Sequence, residues 1–113
     1  MTVNGAHERA GDALLVRVWN RPHRLWVRVS GEVDLSNWEQ LRAGLSQADP
    51  RSHGLVHLDL SELLFCDARG CQCLLDFEQS VRLAGNQPLI HGARPSIRKV
   101  MRLLEPDTEF TFL

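Results

Sequence analysis

Leu25 to Ser30 alternates Trp26, Arg28 and Ser30 against Val27 and Val29, the period-two signature of a strand with one covered face. Leu14 to Trp19 is strand-like as well, and Asn20-Arg21-Pro22-His23 between the two predicts a turn, so the pair is expected to form a hairpin. Gly31-Glu32-Val33-Asp34 then leads out of the second strand. Next, Trp38, Leu41, Leu45 and Ala48 recur at helical spacing. Ser36-Asn37-Trp38-Glu39 fits a capping box, in which the Ser36 oxygen takes a free backbone N–H and Glu39 reaches back to the cap. Asp49-Pro50 stops this helix.

Leu55 to Leu60 is too continuously apolar to be half exposed and predicts a central strand covered on both faces. A second helix is expected over Gly70 to Ala84, with Leu74, Leu75, Phe77, Val81 and Ala84 inward and Gly85-Asn86 as a left-handed stop. Leu89 to His91 reads as a short strand. Pro95 opens a third helix, whose Ile97, Val100, Met101 and Leu104 fall at i, i+3, i+4 and i+7. Phe110 to Phe112 completes the pattern as a last short strand. The order β-β-α-β-α-β-α-β predicts an α/β domain: a mixed, mostly parallel sheet covered by helices. Leu58, Leu74, Leu75, Val81, Val100 and Met101 are expected in its core.

The 113 residues suit one domain over 13–113, and the polar stretch 1–12 predicts a flexible tail. Apolar residues at 43% and charged residues at 24% are those of an ordinary globular protein. A net charge of −1 argues against a nucleic-acid partner bound through neutralised phosphates. No run reaches the length of a membrane span and no signal peptide is recognised, so a cytoplasmic location is expected, with no membrane partner. Cys66, Cys71 and Cys73 then predict reduced thiols, and their spacing matches no zinc pattern. Cys66 and at least one of the helix cysteines are expected as small core residues.

Glu32 and Asp34 share a face in an extended segment, as a carboxylate pair for acid–base chemistry would, but no other catalytic group accompanies them. An acidic, partner-facing edge is the simpler reading. His53, His57 and His91 have no acid or thiol placed by spacing and predict ordinary hydrogen-bonded histidines. Arg98, Lys99 and Arg102 give the third helix a basic outer face. No Ser-His or Cys-His arrangement emerges. The chain is therefore read as a binding protein and not an enzyme, with no cofactor and no metal.

Three segments in order carry a family resemblance: Gly31-Glu32-Val33-Asp34-Leu35, the strand and loop from Asp59 through Cys66-Asp67-Ala68-Arg69-Gly70, and Ala93-Arg94-Pro95 to Leu104. Together they resemble STAS domains, the fold of bacterial anti-sigma factor antagonists. That resemblance implies a STAS-like α/β fold and a partner that is an anti-sigma factor of the serine-kinase type. It also implies a contact surface on Cys66, Asp67, Ala68, Arg69 and Gly70 and the exposed side of the second helix, with Glu32 and Asp34 at its edge. The partner, not this chain, would bind ATP. In the family the loop carries Asp-Ser-Ser-Gly or Asp-Ser-x-Gly, and its first Ser is phosphorylated. Here Ala68 takes that place and offers no hydroxyl, and Arg69 puts a cation where the helix dipole prefers an anion. Either the surface is a permanently unmodified binder, or Ala68 is a small residue in a tight turn. Asp67 is expected to cap the helix; contact with a partner or a metal is the sharper alternative. The resemblance leaves a second function open: a non-switching scaffold or small-ligand sensor in a larger signalling complex.

Overall fold

The computed structural model describes residues 13–49 and 54–113. The expected tail 1–12, the helix stop at Pro50 and His53 lie outside the described residues. The elements are β1 (Leu15–Arg21), β2 (Arg24–Val33), α1 (Trp38–Leu45), β3 (Leu55–Asp59), β4 (Leu63–Cys66), α2 (Ala68–Leu83), β5 (Gln87–His91) and α3 (Pro95–Leu104).

β2 organises the sheet. Its buried positions alternate without a break, Leu25, Val27, Val29, Gly31 and Val33 on the covered side and Trp26, Arg28, Ser30 and Glu32 on the other. β1 pairs with it antiparallel, through a two-residue turn in which Pro22 is followed by His23 at a φ of 62°. β3 pairs with the first half of β2 and β5 with β3, both parallel, giving the order β1-β2-β3-β5. The apolar run at 55–60 is thus a central strand, as its composition predicts.

The chain then leaves β3, turns through Leu60–Glu62, and returns as β4 beside the second half of β2, also parallel. The ladder shifts register between Gly31 and Glu32, where Gly31 takes a φ of 100° that favours glycine. β4 does not appear in the sequence pattern. Its four residues are too short a run to show a period, and its pairing partner is some thirty positions earlier.

The helices cover the side of the sheet that carries Leu25, Val27 and Val29. Leu41 and Leu45 of α1, Leu74, Leu75, Phe77 and Val81 of α2, and Ile97 and Met101 of α3 join Leu58, Leu60, Leu63 and Ile90 in one core. Val100 is only half-buried against it, and Ala84 is exposed as the C-cap of α2, not inward. The C-terminal segment bonds alongside β5 but makes a single bridge, Ile90 with Phe112, in place of the expected strand.

The start of α1 also departs from expectation. The Asp34 carboxylate accepts from both the Ser36 N–H and the Ser36 hydroxyl, at 2.9 and 2.6 Å, so Ser36 is not available as a cap. Asn37 is the N-cap, yet its amide bonds back to the Asp34 N–H and the Glu32 carbonyl and not to the helix. The Asn37 and Trp38 N–H groups both go to the Asp34 carbonyl. This knot holds the exit of β2 against the entry of α1.

Candidate functional site

The loop between β4 and α2 is anchored at each step. The Asp67 N–H donates to the Val33 carbonyl, which ties the loop to the end of β2. The Asp67 carboxylate then accepts from the Gly70 N–H at 2.8 Å, so Asp67 caps α2 as expected and the helix begins at Ala68, two residues before the expected Gly70. Gly70 is buried, and a β-carbon there would stand 2.6 Å from both Cys66 Sγ and Val33 Cγ1. Glycine is the residue that lets helix and sheet approach this closely.

Ala68 and Arg69 are exposed on the first turn of α2. Arg69 does not simply oppose the helix dipole. Its guanidinium lies 4.7 Å from the centroid of the Trp38 ring on α1, with Arg42 at 6.0 Å from the same ring. Trp38 is half-buried, and its carbonyl accepts from the Cys73 thiol at 3.9 Å. Just before the loop, Leu64 and Phe65 are 44% and 51% exposed, and Leu35 beyond β2 is 76% exposed. Neither the Trp38–Arg69 contact nor this apolar pair is legible from spacing. The one clue is that two consecutive apolar residues cannot both face inward from a strand.

Glu32 and Asp34 flank the same region, Glu32 opposite Phe65 in the β2–β4 ladder and Asp34 just past the strand end. Glu32 is half-buried in the ladder, and the Asp34 carboxylate is engaged by Ser36.

All three cysteines are buried free thiols. The Cys71 thiol lies against the Cys66 carbonyl. The Cys71 thiol and burial both push the Cys66 thiol well above its ordinary range, and burial raises Cys73. Among the described residues no three His, Cys, Asp or Glu side chains are placed to hold a metal ion.

His57 and His91 come together on the other side of the sheet. His57 Nδ1 lies 2.8 Å from His91 Nε2, and the Trp26 ring stacks on His57 at 4.1 Å with an interplanar angle of 6°. They are hydrogen-bonded as expected, but His57 Nε2 is buried with no partner. The basic face of α3 is not merely solvated, since Arg98 and Arg102 lie 5.9 and 4.8 Å from the Phe112 ring.

A family model described as "Mlab, STAS domain" matches residues 16–112. The chain belongs to the STAS family. The STAS domain is similar in fold to an anti-sigma factor antagonist from Mycobacterium paratuberculosis, with 21% identity, 91% of this chain and 87% of that chain covered, and a TM-score of 0.72. It is similar as well to the unphosphorylated form of the anti-sigma factor antagonist SpoIIAA, with 20% identity, coverages of 89% and 87%, and a TM-score of 0.65. STAS folds also occur in transporters. A murine anion transporter, Solute Carrier 26 family member A9, matches 75% of this chain with 14% of its own, at 16% identity and a TM-score of 0.61. No curated protein matches the sequence. No helix among the described residues is long and apolar enough to cross a membrane.

Proposed function

We propose that this STAS domain is a cytoplasmic anti-sigma factor antagonist-like binding protein without catalytic activity. It binds an anti-sigma factor of the serine-kinase type and thereby regulates transcription that depends on a sigma factor. The contact is centred on the Cys66 to Gly70 loop, with Glu32 and Asp34 at its edge. The observation that carries this reading is the exposed first turn of α2: a methyl group at Ala68, on a loop braced by Asp67, preceded in the chain by the exposed residues Leu64 and Phe65. Such a surface is firm and partly apolar, as the centre of a protein interface is.

In the family the residue at this position gains and loses a phosphate, which adds charge and bulk to the contact. Ala68 has no oxygen to modify, so binding here is permanently on and insensitive to ATP and kinase activity. Ala68→Glu tests the surface directly, because it places an unpaired charge in the middle of the contact. The variant is expected to bind the anti-sigma factor at least about tenfold more weakly in calorimetry. Equal affinities for wild type and Ala68→Glu would show that this loop is not the binding surface.

A further inference from the structure

The face of the sheet turned away from the helices carries an ordered set of side chains that the antagonist reading does not use. In the β1–β2 hairpin, Arg17 is paired with Arg28, Trp19 with Trp26, and Arg21 with Arg24. These are alternate positions, so all six share the face that the core residues leave. The result is a row of two indoles between two rows of two guanidiniums, successive rows about 7 Å apart. Like charges directly across an antiparallel pair destabilise it, and this hairpin has two such pairs, one on each side of the tryptophan row. Among the described residues, Asp59 is the one carboxylate paired with any of the four guanidiniums, at 3.0 Å from Arg28. The chain-wide charge of −1 averages this segregation away.

An open depression of about 370 Å³ on this face is lined by Trp19, Arg21, Arg24, Trp26 and Arg28, with the Arg28 guanidinium 5.6 Å from the centroid of the Trp19 ring. One face of the Trp26 indole is stacked on the His57 ring, with the His91 ring also against it, so the indole is held in place beside the depression. Beneath it the unpartnered His57 Nε2 leaves one buried polar atom unsatisfied on this same face. A partner that fits must offer a flat ring to the indoles and negative charge on each side of that ring.

We infer that this face binds single-stranded nucleic acid, with a base stacked in the Trp19–Trp26 row and the flanking phosphates on the arginine rows. Base–aromatic stacking tolerates any base, and guanidiniums follow the backbone charge. A duplex hides its base faces, so it presents the phosphates without the rings. The site is separate from the Cys66 to Gly70 loop and stands or falls independently of the anti-sigma factor reading.

The three tryptophans provide the test, since each gives its own indole N–H resonance in a ¹H–¹⁵N spectrum. The ¹⁵N-labelled protein is titrated with a twelve-nucleotide oligothymidylate. The Trp19 and Trp26 indole signals are expected to move while Trp38, on the helical side, does not. Arg17→Gln with Arg24→Gln, two exposed positions whose change does not touch the core, should weaken binding at least about tenfold, and raising salt should weaken it further. The absence of any shift would overturn the proposal. So would equal binding of a duplex of the same length, or of a polyglutamate peptide, because either shows that the face responds to charge alone. Equally tight binding of free thymidine bisphosphate would replace the strand by a free nucleotide and overturn it too.

Discussion

Gly70 on α2 lies against Val33 on β2 with no room for a side chain between them. This contact sets how closely the first turn of α2 approaches the sheet, and so where Ala68 is displayed. Gly70→Ala is expected to destabilise the domain by about 1–3 kcal/mol, as overpacking does, even though alanine is the better helix former. The control is Gly54→Ala, where an added β-carbon meets nothing within 4 Å. Urea denaturation of the two variants should show a loss for Gly70→Ala alone.

Stability should fall as the solution is acidified below neutrality. Burial, the neighbouring His91 and Arg24 together hold the His57 imidazole below its ordinary value. The unfolded chain therefore takes up the His57 proton at a higher pH than the folded one. The His57 contribution is fully present above about pH 6.5, the unfolded value, and is lost as pH drops through that point toward the folded value. His57→Phe keeps a flat ring under Trp26 and removes the titration, so its unfolding free energy should change less between pH 7.5 and pH 5 than that of the wild type.

A second acid transition belongs to Asp59. Burial would raise this carboxyl, but the hydroxyl and N–H of Ser61 and the Arg28 guanidinium outweigh it and hold the group below the ordinary carboxylate range. Its contribution is present above about pH 4 and is lost as pH falls further. Asp59→Asn should lower stability at pH 7 and narrow the gap to wild type at pH 3, measured by the same denaturation series.

The thiols should be slow to react. Cys66 and Cys73 are both held up in pKa and buried; the bond with Cys66 lowers the Cys71 thiol, but Cys71 is fully enclosed, so no reactive thiolate is available at the surface. Titration with an aromatic disulfide reagent at pH 8 is expected to label the folded protein at the rate of unfolding and to find three thiols in denaturant. Rapid labelling of any one cysteine in the native state would contradict the packing described.

Arg82 neutralises a carboxylate that the core has nearly enclosed. Its Nε bonds to Glu78, which is 3% exposed, and its Nη2 donates to the Glu109 carbonyl at 2.8 Å. Arg82→Met leaves Glu78 buried without its partner and should cost about 1–3 kcal/mol. Adding Glu78→Leu to Arg82→Met should recover most of that loss, which a thermal melt of the single and double variants can show.

The sequence alone determined the hairpin, the three helices, the central strand at 55–60, the short strand ending at His91 and the cap at Asp67, but not the full element order. Each of these depends on a local period or a residue's own backbone preference, and both are written in consecutive positions. It also determined that position 68 has no hydroxyl. Tertiary structure decided the rest. β4 exists only because β2 continues past β3 and offers its second half as a pairing edge. Ser36 loses the cap because Asp34, held by the end of β2, takes its hydroxyl first. Arg69 finds Trp38 across two helices, and His57 finds His91 across two strands. The arginine–tryptophan rows depend on the register of the hairpin: a slip of β1 by one residue would turn its Arg17, Trp19 and Arg21 toward the core side. Local pattern says what each segment can be, and the choice of neighbours says which of its faces is left to meet a partner.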